Sequence, residues 1–268
     1  MEQHMSNTPG VLHRAARRNQ SLIGVASLIV GLLAWWLITR TAHLPAFILP
    51  SPRGVWLRFV AAVSDGSLAF HTGATLTEIL LGLSLGVGLA TIIGYAVAKS
   101  RALERMLSPY LVASQAIPLV AIAPLLVIWF GPGMFSKVLI CAMIVFFPVL
   151  VNTIVGVRAV PPALHDLMRS LHARREQILL KLEVPASLPV FLGGLRIGAT
   201  LSVIGAVVGE LVGADQGLGF LINVGRGQYD TALVFVAVFV LIAVALCLYG
   251  VVAWLEARAL IWQEWRKE

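Results

Sequence analysis

The feature that most constrains this chain is a recurring apolar block of about 20 residues, found at Leu22–Thr39, Thr75–Ala98, Pro109–Phe130, Met134–Val157, Val190–Gly213 and Thr231–Leu255. A helix of that length crosses a ~30 Å hydrocarbon layer at 1.5 Å per residue. Within lipid the backbone has no water to bond, so each block is predicted to be a helix that satisfies its own polar groups. The expected fold is an all-α polytopic membrane protein with about six transmembrane helices. Only 12% of the 268 residues are charged, against roughly 25% in a soluble domain, so an ordinary cytosolic globule is excluded.

This pattern divides the chain into a tail at 1–21, a membrane domain at 22–255 and a second tail at 256–268. A basic segment with Arg14, Arg17 and Arg18 precedes the first block, which raises the possibility of a signal peptide. No small-residue cleavage site comes after it, and Trp35 and Trp36 lie inside it, so it is read as a retained helix. With the N-terminus inside, fifteen of the twenty Lys and Arg fall on the inner side. Arg40, Arg53, Arg58, Lys137 and Arg226 fall outside. This bias predicts that both termini are cytoplasmic.

The net charge of +7 does not point to nucleic acid, because the basic residues are spread through short loops and are not interleaved with a stacking aromatic surface. The expected environment is membrane lipid. Cys141 and Cys247 lie in apolar runs, where no disulfide or metal site is expected. No H-E-x-x-H pair or G-x-S-x-G elbow occurs, and His4, His13, His43, His71, His165 and His172 fall in tails or loops. No catalytic residue is therefore assigned. Gly131–Lys137 superficially resembles a nucleotide loop, but Ser136 stands at the second glycine position, and the segment reads as an outer turn.

Several residues within the blocks are candidates for packing or for the translocation pathway. Gly205, Gly209 and Gly213 repeat every fourth residue, after Gly194 and Gly198, which predicts a groove for close helix approach, within one subunit or between two. Pro118 and Pro124 are expected to kink the third helix and Pro148 the fourth. Trp56, Phe59, Val60 and Val63 recur at helical spacing opposite Arg53 and Arg58, predicting an amphipathic helix on the outer face. Glu78 and Glu210 are carboxylates within spans, where an unmatched charge is expensive. Glu210 either lines a gate or orders the outer loop Ala214–Asp230 through backbone donors around Gly217 and Gly219. Gln115 and Asn152 are further polar candidates for the pathway.

The longest polar stretch after the tail is Arg158–Pro189, on the cytoplasmic side between the fourth and fifth blocks. It is expected to hold a short helix that is stopped by prolines and gripped by a partner. Asp166-Leu167-Met168, three residues, His172, nine residues, and Leu182-Glu183-Val184-Pro185 resemble the cytoplasmic motif of binding-protein-dependent ABC importer permeases. That motif runs Glu-Ala-Ala, three residues, Gly, nine residues, Ile-x-Leu-Pro. His172 takes the place of the glycine, which commonly adopts a left-handed conformation.

The resemblance extends through Ser114–Pro118, Ala123–Gly131, Phe146–Pro148, Asn152–Thr153, Gly156–Arg158, Gly205–Glu210 and Gly217–Gly219. It is nearest to the nitrate, sulfonate, taurine and thiamine-precursor pyrimidine branch. It implies a type I ABC importer permease fold, in a complex with a second permease copy, two cytoplasmic ABC ATPase subunits and an extracytoplasmic substrate-binding protein, in the bacterial inner membrane. Asp166, Arg169, Ser170, Leu171, His172, Ala173, Arg174, Arg175 and Pro185 would couple to the ATPases. ATP would be used by those partners, and this chain would bind no cofactor. Thr75–Glu78 and Gly205–Glu210 resemble permeases for heteroaromatic vitamin precursors, with a sulfonate or nitrate-type anion as the other option. A secondary transporter or channel is the competing class, and it would be expected to function without an ATPase.

Overall fold

The computed structural model describes residues 26–27, 29–42, 45–116 and 118–261; the expected tail at 1–21 lies outside the described residues. The described chain is helical and contains no strand. Its helices are α1 (Ile29–Thr41), α2 (Pro52–Ser64), α3 (Ser67–Lys99), α4 (Arg101–Ala116), α5 (Leu119–Phe130) and α6 (Met134–Arg158). They continue with α7 (Pro162–Ser170), α8 (Arg175–Ile178), a π-helical segment (Leu179–Glu183), α9 (Val184–Gly213), α10 (Leu218–Gly227) and α11 (Thr231–Ala259). Helix occurs in each of the six apolar blocks among the described residues. Four, including the continuous run Arg175–Gly213, are long and apolar enough to cross a membrane by themselves, and Ile29–Thr41 and Leu119–Phe130 are shorter.

Two blocks differ from expectation, both at prolines. The third is a broken pair and not one kinked helix: Pro118 is extended (φ −72°, ψ 94°) between α4 and α5. A proline has no N–H to continue the ladder, and it disfavours helical geometry in the residue before it. The loop prolines, conversely, stop nothing. Helix continues from Arg175 through Pro185 and Pro189 to Gly213. In the π segment the Val184 N–H bonds to Leu179 O, so pairing shifts by one residue and a carbonyl is already left over where Pro185 lacks its donor.

The bundle is organised around α6, which is held between two helices that present small residues. On α3, Gly82, Gly86, Ala90 and Gly94 are buried at four-residue intervals, a stripe beyond the one anticipated on α9. A Cβ added at Gly86 would lie 2.7 Å from Ala142 O, and one at Gly94 would lie 2.9 Å from Thr153 Cβ. On α9, Gly194 faces Asn152, Gly198 faces Val149, Gly205 faces Cys141 and Gly209 faces Lys137. The order of these contacts makes α3 parallel and α9 antiparallel to α6. In lipid there is little hydrophobic gain from helix association, so close backbone approach and dispersion hold such a core.

A second cluster joins α2, α3, α9, α10 and α11 through Val55, Ala62, Ile79, Ala206, Leu218 and Val236. The Trp35 ring of α1 stacks on Phe235 at 5.4 Å, and its indole N–H donates to Pro50 O. α2 is capped by Ser51, whose hydroxyl accepts the Gly54 N–H at 3.1 Å. Its protein-facing side is Val55, Phe59 and Ala62, whereas Trp56, Val60 and Val63 of the predicted apolar face are exposed. Arg58 reaches Asp230 at 2.7 Å, tying α2 to the N-terminus of α11 and drawing the helix onto its flank.

Candidate functional site

The loop that carries the expected coupling residues forms an isolated knob. α7 begins with Pro162 in its first turn and buries none of its residues. Leu164, Leu167 and, just beyond its end, Leu171 are 39%, 53% and 68% exposed. α7 ends in a Schellman closure: the Ala173 N–H bonds to Met168 O and the His172 N–H to Arg169 O. His172 has φ 54°, so the bend is made by histidine in the left-handed region where the motif has glycine.

Asp166 and Arg169 form a 3.8 Å i,i+3 pair in which both side chains are 74% exposed, an arrangement worth little by itself. The Ser170 hydroxyl donates to Leu167 O. The Arg174 N–H donates to Gln177 Oε1, which starts α8 and leaves the Arg174 and Arg175 side chains exposed. Residues 166–175 therefore share one exposed turn, while Pro185 lies beyond the π segment in the first turn of α9.

Below this knob is a residue that entered the sequence pattern only as motif spacing. Glu183 is 1% exposed. Its Oε1 takes a charged bond from Lys99 Nζ and lies 2.9 Å from His165 Nε2, while its Oε2 accepts from the Tyr95 hydroxyl at 3.0 Å. A cavity of about 570 Å³ adjoins it, with Lys99, His165, Arg169 and Arg175 on its walls. A carboxylate directly before a long apolar run was the available signal, since such a group is rarely left unpaired. Nearby, Glu104 of α4 pairs with Arg158, whose hydrogen bond holds the Glu104 carboxyl below the usual range.

At the opposite end of the bundle Glu210 is fully buried. Thr75 Oγ1 donates to Glu210 Oε1 at 2.6 Å and accepts the Leu218 N–H at 2.8 Å. The Gly219 N–H donates to Glu210 Oε2, and the Gly217 N–H donates to His71 Nδ1 at 3.0 Å. Gly217 has φ +115°, and a Cβ there would lie 2.1 Å from Glu210 Oε1, so glycine is required on both counts. The carboxylate and Thr75 thus hold the backbone at the start of α10.

Lys137 departs from the expectation that it lies in an outer segment. It is in the first turn of α6, 2% exposed, and bonds Glu78 Oε1 at 2.7 Å. The helix starts at Met134, where the apolar block does, so Lys137 lies inside the bundle, and Glu78 on α3 matches its charge.

Asn152 and the α9 glycines are engaged within one chain. The Asn152 amide donates to Pro148 O at 2.8 Å, and a Cβ at Gly194 would lie 2.5 Å from Asn152 Cβ. Gly205 is crossed by backbone, 2.8 Å from its would-be Cβ to Cys141 Cα, and Gly209 meets Lys137 Cα at 3.2 Å. Gly213 would meet only side chains, the nearest at 3.4 Å, so backbone crossing ends one turn earlier. Gln115 lies on α4, and its side chain lies outside the described residues.

Residues 82–261 match the family described as binding-protein-dependent transport system inner membrane component. The riboflavin transport system permease protein of Chloroflexus aurantiacus is 46% identical over 243 residues, covering 90% of each chain. The formylaminopyrimidine transport permease protein of Halalkalibacterium halodurans is 34% identical over 248 residues, 92% of this chain and 98% of that one. The taurine transport system permease protein of Escherichia coli is 32% identical over 232 residues, 84% of each. Among solved structures, an inward-facing form of the MetNI methionine ABC transporter superposes with a TM-score of 0.60 at 18% identity, over 69% of this chain and 93% of that one. An amino acid ABC transporter crystallised with histidines gives 0.60 at 16% identity, over 74% and 96%. The chain belongs to the binding-protein-dependent inner membrane component family, as a permease subunit of an ABC importer.

Proposed function

We propose that two copies of this chain line a translocation pathway, that a cytoplasmic ATPase grips the 166–175 turn of each copy, and that a binding protein delivers solute to the outer face. ATP-driven closure of the ATPases would rock the bundle between inward-open and outward-open states. One observation carries this reading: α7 buries none of its residues in its own chain, yet it presents Leu164, Leu167 and Leu171 beside Arg174 and Arg175. Exposed leucines rimmed by charge are the anatomy of a protein contact. The orientation proposed has both termini and α7 cytoplasmic. With Lys137 buried in the bundle, four basic residues remain on the outer side, which favours that orientation further.

The solute we propose is a heteroaromatic vitamin or its precursor. The support is that the relatives named for riboflavin and for formylaminopyrimidine, at 46% and 34% identity, match more closely than the one named for taurine at 32%. The test is reconstitution of the permease with its co-expressed ATPase and binding protein in vesicles, with riboflavin and taurine as competing solutes. Riboflavin-stimulated ATP hydrolysis that is lost on Arg174→Glu/Arg175→Glu is the expected result. ATPase capture and transport unchanged by that double reversal refute the docking surface, and stimulation by taurine alone refutes the solute class.

A further inference from the structure

We propose that Glu183 is a positioning residue for transport, which clamps the coupling knob α7 to α3 so that a displacement of α7 moves α3. The inference rests on the reading of α7 as the ATPase contact. Beyond the short chain link 159–161 to α6, in which Val160 is buried, little else joins α7 to the bundle, which singles out Glu183. α7 buries nothing, and cavities of about 570 and 290 Å³ lie beside it, each with His165 and Arg169 on its walls. Packing therefore has little hold on it. Among the described residues, the one side-chain hydrogen bond from α7 to a neighbouring helix is His165 Nε2 to Glu183 Oε1, at 2.9 Å.

The other side of Glu183 is bonded to α3, with Lys99 on the same oxygen and Tyr95 on the second. One buried carboxylate thus joins α7 to α3 from a third element. A buried charge is costly to strip of its partners, so the clamp resists being opened when α7 is pulled.

The local backbone explains why a clamp is needed. Glu183 closes the π-helical segment Leu179–Glu183, where pairing is shifted and the helix is less regular than its flanks. Earlier in the same loop lies the left-handed turn at His172. Without a cross-connection, a force on α7 would be taken up by bending at these two places. With Glu183 bonded to α3, the force reaches the helix whose small-residue stripe packs along α6. The extra residue of the π turn also rotates α9 by about 100° relative to an unbroken helix, so the turn fixes which face of α9 meets α6.

The test uses the full permease bound to its ATPase, with Cys247 replaced by serine and spin labels at Ala163→Cys on α7 and Ile92→Cys on α3. Without Glu183→Gln or His165→Ala, the α7 to α3 distance should be the same, and narrowly distributed, in nucleotide-free and ATP-trapped complexes. With either substitution the distribution should broaden or shift on ATP trapping. Riboflavin moved per ATP hydrolysed should then fall at least about fivefold, within the range that single residues on a coupling route command. A merely structural role would lower thermal stability without producing a nucleotide-dependent distance. If Glu183→Gln does not assemble, His165→Ala decides, since that side chain is 23% exposed and its loss leaves Lys99 and Tyr95 on Glu183. Distances independent of ATP in the assembled variant overturn the clamp alone. A parent protein that captures no ATPase overturns the functional reading, and the clamp with it.

Discussion

Replacing Lys137 with methionine tests whether the bundle depends on its buried ion pair. Lys137 and Glu78 are 2% and 0% exposed and 2.7 Å apart, and the second Glu78 oxygen has no partner among the described residues. Methionine keeps the Cβ and Cγ that pack against Gly209, so the substitution removes charge more than volume. It leaves an uncompensated carboxylate next to a second one, Glu210, with which Glu78 interacts.

Breaking one partner out of a buried pair costs about 3–5 kcal/mol. At roughly 2–4 °C per kcal/mol for a chain of this size, the unfolding midpoint in detergent, monitored by tryptophan fluorescence, should drop by about 10 °C. Glu78→Met/Lys137→Met removes both charges, and a pair replaced by apolar groups is often neutral or stabilising, so the double variant should recover most of the loss. A single variant within about 2 °C of the parent, given that scale, would falsify the reasoning. So would a double variant as unstable as the single one.

The same geometry carries three further expected outcomes. Gly205→Ala should cost about 1–3 kcal/mol, because its Cβ would meet the Cys141 backbone; Gly213→Ala should be neutral or slightly stabilising, through the ~1 kcal/mol helix propensity gained, with both read as midpoint shifts. His172→Gly should leave stability unchanged or raised by up to about 1 kcal/mol by relieving the left-handed residue, whereas His172→Val should destabilise by more than about 1 kcal/mol. Glu210→Ala should lower stability by about 1–3 kcal/mol by freeing the Thr75 hydroxyl and the Gly219 N–H. An unchanged midpoint and unchanged protease sensitivity around residues 214–219 would contradict its role as a loop support.

The features legible in the sequence are those that one helix or one loop decides by itself. Apolar length marked all six blocks, because the bilayer imposes it on each span separately. The four-residue glycine rhythm in α9 was visible for the same reason, and family spacing marked the 166–177 turn even though His172 replaces its glycine. Pro118 could be seen as a disruption, but whether it kinks or breaks a helix depends on which neighbours accept the freed groups.

Pairings between helices were decided only by the tertiary structure. Lys137 looked like an outer-loop charge until α3 brought Glu78 to within 2.7 Å. Glu183 looked like a spacer until α3 and α7 placed three donors on it. The α3 stripe of Gly82, Gly86, Ala90 and Gly94 acquired meaning only from α6 running parallel to it. The physical reason is common to all three: burial of a charge or a bare backbone is expensive or useful according to what lies opposite, and sequence separations of 18 to 88 residues carry no local trace of that partner.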